Sequence, residues 1–110
     1  MIKYNAGVDP KVLDLKLQKA LFFISKASTF DIIATSGLRS PEHNASVGGV
    51  PDSAHLKGMA LDLACLDDKS RYWIVYWAFM AGVKRVGIAT DHVHLDIDYS
   101  KMTPCMFFDN

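Results

Sequence analysis

The chain has 110 residues, half of them hydrophobic, with twelve Lys and Arg set against twelve Asp and Glu. That length holds one domain (1–110) around one modest core, and the composition excludes a disordered chain. A formal net charge of zero removes bulk attraction to nucleic acid or to an anionic membrane, so a local site must carry the function.

In chain order, Met1-Ile2-Lys3-Tyr4-Asn5 lacks the apolar run and small-residue cleavage site of a secretory signal, which predicts a protein made and kept in a cytoplasm. Asp9-Pro10 reads as a helix start, since Asp caps free N–H groups and Pro fits the first helical position. Val12, Leu13, Leu15, Leu17, Ala20, Leu21 and Ile24 then follow at mixed three- and four-residue spacings and predict a helix over about 10–26. Asp31 to Ser36, rich in β-branched residues and ended by Gly37, reads as a strand. From Gly37 to Lys57 the crowding of Ser, Pro, Asn and Gly predicts a long loop of the kind that often carries function.

Gly58 to Ala64 alternates as a half-buried strand, with Met59, Leu61 and Leu63 on one side and Asp62 on the other. Asp67 or Asp68 caps a second helix through about Ala81, with Trp73, Ile74, Trp77, Ala78 and Met80 available for its inner face. The longest uncharged stretch, Tyr72 to Val83, falls well short of the roughly 20 apolar residues of a membrane span, so no stable membrane association is expected. Lys84 to Ala89 and His92 to Asp98 read as two more strands joined by a tight Thr90-Asp91 connection. Cys65 and Cys105 lie far apart without CxxC spacing and read as free thiols. The order of elements predicts an α+β domain with helices against a mostly antiparallel sheet.

Three of the four histidines gather with aspartates in two clusters, Ser53 to Asp62 and Asp91 to His94. Zinc favours imidazole nitrogen and carboxylate oxygen, and a hydrolytic site needs three protein ligands plus one open position. His55 from the loop, Asp62 from the polar face of a strand and His94 from a third element supply that set for one Zn2+. Such an ion activates water near neutral pH and polarises a scissile carbonyl. Asp91, provided it sits in the turn before the last strand, is then the candidate general base. His92 shares the His94 face, where it can bind substrate or orient the site. Arg39, directly after a strand, is placed to hold a substrate carbonyl or carboxylate and stabilise an oxyanion. His43 reads as exposed, and Asp96 and Asp98 as solvated strand-face residues, with Asp96 also able to orient a ligand from behind.

The run SGLRSPEHNASVGGVPDSAHLKGMALDL, followed about thirty residues later by DHVHLD, resembles the zinc D-alanyl-D-alanine peptidases. That superfamily includes carboxypeptidases, vancomycin-resistance dipeptidases, phage endolysins and the hedgehog signalling domain. Its SxHxxGxAxD pattern is met by Ser53, His55, Gly58, Ala60 and Asp62, and the likeness spans about Asp31 to Asp98. The resemblance implies a hedgehog/DD-peptidase fold, zinc on His55, Asp62 and His94, Asp91 as the acidic base three residues before the last ligand, and Arg39 as the transition-state arginine. Ser53, inside the motif, is the candidate substrate contact beside Arg39. Several branches carry glutamate where Asp91 stands, and others carry aspartate.

The implied function is hydrolysis of peptide bonds in bacterial peptidoglycan by attack of zinc-activated water. The expected partners are peptidoglycan stem peptides, and the chain is expected to act as a monomer. D-Ala-D-Ala carboxypeptidase, cross-link endopeptidase and L-Ala-D-Glu endopeptidase readings all follow. The compact size is similar to peptidases encoded by small bacterial viruses, which act on the wall from the host cytoplasm once the membrane is breached. The rival readings are a zinc-containing, non-catalytic cell-wall-binding or virion-associated module, and a structural protein with incidental histidines.

Overall fold

The spacing of Leu17, Ala20, Leu21 and Ile24 does make a helix, α1. In the computed structural model, which describes residues 1–109, it spans Leu15–Ala27. Asp9 and Pro10 instead open a separate 3-10 turn, Pro10–Val12, and Asp14 caps α1 by accepting from the Lys16 N–H. The break falls at Leu13, whose extended backbone (φ −79°, ψ 158°) separates the two while the residue is buried in the core.

Six strands form one sheet: β1 (Ile2–Tyr4), β2 (Ile32–Ser36), β3 (Ala60–Ala64), β4 (Arg85–Ile88), β5 (His92–Asp96) and β6 (Cys105–Phe108), in the order β1-β2-β3-β5-β4-β6. The three central pairings are antiparallel, as expected, and the edge pairings β1 with β2 and β4 with β6 are parallel. Neither β1 nor β6 is among the elements expected from sequence. The segment expected to be a loop holds two short pieces of order, α2 (Pro41–Ser46) and a 3-10 turn, Ala54–Lys57.

Alternation along the strands divides the sheet. Leu61 and Leu63 of β3, Val86 of β4, and Val93 and Leu95 of β5 meet Leu17, Leu21 and Ile24 of α1 and Ile74, Trp77 and Ala78 of α3 (Asp68–Met80) in one buried cluster. Asp67 caps α3 by accepting from the Ser70 N–H. Two residues expected on the inner face of α3 differ. Met80 is 56% exposed, because it lies two positions and about 200° around the helix from Ala78, and Trp73 sits at the edge of the stripe. Cys65 and Cys105 are free, as expected. Among the described residues no helix is long and apolar enough to cross a membrane.

Candidate metal centre

The sheet face turned away from α1 and α3 carries the polar residues of the same strands. Register sets Asp62 of β3 opposite His94 of β5, with Ser36 of β2 on its other side and Gly87 of β4 across from His94. His55 arrives from the 3-10 turn. Ser53 caps that turn, its Oγ accepting from the His55 N–H at 3.2 Å, and Gly58 closes it in the left-handed region at φ 69°, where a side chain would be strained. The motif serine and glycine thus hold the histidine in place; the Ser53 hydroxyl, expected to meet substrate, is committed to this cap in a buried position that borders the cleft.

His55, Asp62 and His94 converge, all three buried. Asp62 Oδ1 lies 3.3 Å from His55 Nε2 and 3.1 Å from His94 Nδ1. Tetrahedral zinc bonds of about 2.0–2.1 Å set neighbouring donors about 3.3 Å apart, so these separations would suit ligands around a shared ion. The outer nitrogens are already engaged: His55 Nδ1–H donates to the Gly37 carbonyl at 2.8 Å, and His94 Nε2–H donates to Asp96 Oδ2 at 2.8 Å. With the imidazoles neutral, those bonds leave Nε2 of His55 and Nδ1 of His94 as inward lone pairs; with them protonated, the same nitrogens donate to Asp62.

The electrostatics agree. Burial alone would raise the Asp62 carboxyl, yet hydrogen bonds from His55 and His94 hold it well below the usual carboxylate range. Burial likewise pushes His94 down, but Asp62 and Asp96 carry it up to about 9. Such a field favours positive charge at the centre, and a metal ion supplies it without the proton. The residues present therefore fit a metal ion.

Arg39 borders the trio. Its Nε donates to Ser36 Oγ at 3.2 Å, Nη1 to Asn44 Oδ1 at 3.3 Å, and Nη2 approaches Asp62 Oδ2 at 3.5 Å. Asn44 is buried in α2 and donates from Nδ2 to the Val50 carbonyl, which ties the glycine-rich loop to the arginine. A cleft of about 540 Å3 opens over these residues, walled by Val47, Val50, Lys101 and Phe107. His43 is exposed, as expected.

A sequence profile described as Peptidase M15 matches residues 2–96. The chain belongs to the M15 peptidases. No curated protein matches it. Among solved structures, the fold of this M15 peptidase is similar to the crystal structure of the L-Ala D-Glu endopeptidase ChiX of Serratia marcescens. The TM-score is 0.66 over 89% of this chain and 92% of that one, at 15% identity. The family expected from the two motifs is the family found.

Asp91 of this M15 peptidase sits in the turn before β5, the position its expected role requires, with its side chain 73% exposed and its one ion pair among the described residues made with His92 Nδ1, at 2.7 Å. Asp96 and Asp98 are buried rather than solvated. Beyond the central pairings the open face is covered: Arg85 Nε donates to Asp96 Oδ1 at 2.7 Å, and Lys57 Nζ donates to Asp98 Oδ2 at 2.8 Å. Asp109, which sequence reasoning missed, follows β6 into the site, where its Oδ2 lies 2.7 Å from His92 Nε2 and 3.8 Å from His94 Nδ1. Hydrogen bonds with Asp109 and then Asp91 outweigh burial and push His92 up to about 9. The signal available in sequence was the run Cys105-Met106-Phe107-Phe108 after Pro104, a short β-prone segment ending at an acid.

Proposed function

We propose that this peptidase hydrolyses peptide bonds in bacterial peptidoglycan with one zinc ion held by His55 Nε2, Asp62 Oδ1 and His94 Nδ1. The observation that carries the reading is the spacing of those three donors, with the outer nitrogen of each imidazole already bonded. Membership of the M15 peptidases and the likeness to an endopeptidase that acts on L-Ala D-Glu support the substrate class. When bound, zinc supplies Lewis acidity toward the scissile carbonyl and acidifies water.

The chain's own residues do the rest. Arg39 is held on three sides, so its guanidinium meets a developing oxyanion without reorganising. The hydrogen-bonded series Asp91, His92, Asp109 lies beside the trio and provides the proton acceptor. Val47 and Val50 give the cleft apolar contact for an alanyl side chain, and Arg39 and Lys101 give it positive charge for a stem-peptide carboxylate.

The test is digestion of purified peptidoglycan with the zinc-loaded chain, followed by mass spectrometry of what is released. Defined stem-peptide fragments should appear, vanish with a chelator and return on adding zinc, and their termini assign the bond. A chain that holds zinc yet releases nothing under either condition is a binding module, and the proposal is then wrong.

A further inference from the structure

α1 and α3 cover the apolar face of the sheet, and the cleft opens on the other face. Each helix also turns an outer side to solvent. Because both rest on one sheet face, those outer sides look the same way, opposite to the cleft. On α1 the core residues Leu17, Ala20, Leu21 and Ile24 occupy one side. At about 100° per residue, Lys16, Lys19, Phe22, Phe23 and Lys26 fall together on the other, all exposed. The helix holds three lysines and no acid. The ion-paired lysines among the described residues are Lys3, Lys57 and Lys101, so the three on α1 stand free, and Lys26 Nζ lies 5.5 Å over the Phe22 ring.

The outer side of α3 is aromatic. Tyr72, Tyr76 and Phe79 recur at four- and three-residue spacing, with Trp73 and the exposed Lys69 beside them. Tyr72 stacks on Tyr76 with centroids 6.4 Å apart, and Trp73 meets the two rings edge-to-face at 5.3 and 5.6 Å. Rings of this size are ordinarily buried in a core, yet these pack on one another in solvent. The acids of the two helices stand at the N-terminal ends and are engaged: Asp14 and Asp67 cap, and Asp68 pairs with Arg71. The zero net charge of the chain thus conceals a segregation, with free lysines and exposed rings on the helical side and aspartates gathered about the cleft.

That combination selects an occupant. A second copy of the chain would bury lysines of one sign against acids already engaged. A neutral glycan would use the rings and leave the lysines unanswered. An anionic bilayer answers both, since headgroup phosphates meet the lysines, Phe side chains reach the acyl boundary, and Tyr and Trp lie at headgroup depth.

We propose that the outer sides of α1 and α3 dock on a bilayer rich in anionic lipid, the helices lying in its surface and the cleft facing away from it. The expectation of no stable membrane association rested on span length and net charge, and neither registers how charge and rings are distributed over the surface. Among the described residues no helix can cross a membrane, and this mode of binding needs none. Docked in this way, the cleft stays open to a substrate arriving from the water side.

The experiment sediments the full chain with vesicles of phosphatidylglycerol and phosphatidylcholine in equal parts, and with phosphatidylcholine alone. Binding to the anionic vesicles should be at least about tenfold stronger and should weaken as salt is raised. Tryptophan emission should shift to the blue, because Trp73 enters the headgroup layer while Trp77 is already buried. Lys16→Gln, Lys19→Gln and Lys26→Gln together should lower binding about a hundredfold, at about fivefold per lysine. Phe22→Ser with Phe23→Ser should lower it about tenfold. Lys101→Gln, on the cleft side, should leave it within about twofold. The helix substitutions all fall at exposed positions, and circular dichroism checks that each variant folds.

Equal binding to the neutral vesicles, no binding to either, or a loss in Lys101→Gln as large as in the triple variant overturns the assignment. Dimers that vanish in the Phe22 and Phe23 variant, without vesicle binding, give this side to a second copy instead. Pelleting with purified sacculi but not with vesicles, abolished by Tyr76→Ser, gives it to a glycan.

Discussion

Asp62 and Leu63 are adjacent on β3 and belong to different chemistries. Leu63 is fully buried in the cluster under α1 and α3, where volume and shape decide what is tolerated. Asp62, one residue earlier, faces the open side and is held by His55, His94 and Arg39, where the identity and direction of single atoms decide. Val93 and His94 repeat the contrast on β5. One pleated backbone therefore serves as floor for a core on one face and as a ruler for ligand spacing on the other. The rigidity of the core is what keeps donor separations near 3.2 Å from collapsing into ordinary side-chain disorder.

The sharpest way to break the comparison is on the open face. Asp62→Ala removes the carboxylate shared by both histidines, and zinc affinity and turnover should each fall by roughly a thousandfold or more, while unfolding stays cooperative. Metal analysis after gel filtration and urea melts followed by circular dichroism read the two separately. A variant that kept one zinc per chain would remove Asp62 from the ligand set.

Leu63→Ala asks the opposite question one residue away. Truncating a fully buried leucine should cost about 2–5 kcal/mol of stability, seen as a lower urea midpoint. Zinc affinity of the folded variant should stay within about threefold, since no donor is lost. Should Leu63→Ala shed zinc as completely as Asp62→Ala while still folded, the two faces would not be separable, and core packing would have to be counted as part of the centre.

The same contrast explains how much was legible in the sequence. The trio of His55, Asp62 and His94 was readable as a cluster because its spacing is fixed by a short turn and two strands, and alternation alone placed Asp62 opposite the leucines and His94 opposite Val93 and Leu95. Alternation also put Asp96 and Asp98 on the correct face, but it says nothing of what covers a face. Arg85 and Lys57 cover them here, from segments distant in sequence. β1 and β6 escaped because strands of three and four residues carry too little periodicity to stand out. Asp109 escaped because only a parallel pairing between β4 and β6 brings it to His92. The start of α1 was misplaced because Asp9 and Asp14 both make good caps, and the choice between them was made by the burial of Leu13, a tertiary effect.

The mildest test concerns the seam between the site and its support. Lys57 ends the turn that carries His55, and Asp98 lies just past the strand that carries His94, so their 2.8 Å ion pair ties these two histidine-bearing segments together. Asp98 is buried, Lys57 is half exposed, Ser100 Oγ donates to Asp98 Oδ1, Lys101 Nζ lies 3.9 Å from Oδ2, and the Asp98 N–H donates to Asp96. Burial raises the Asp98 carboxyl, but the hydrogen bonds from Lys57 and Ser100 bring it below the ordinary carboxylate range. A carboxylate depressed on folding contributes stability that is complete above its unfolded value and is lost as pH falls through the lowered one. Lys57→Met should therefore cost about 1 kcal/mol at pH 7, the pair being half solvated, and the gap from wild type should narrow as pH is lowered through 3. The melts are run on the metal-free chain, so that acid release of zinc does not enter. A gap that stayed constant from pH 7 to pH 3 would mean that Lys57 acts through the packing of its methylene stem, and the turn bearing His55 would then be held by contact and not by charge.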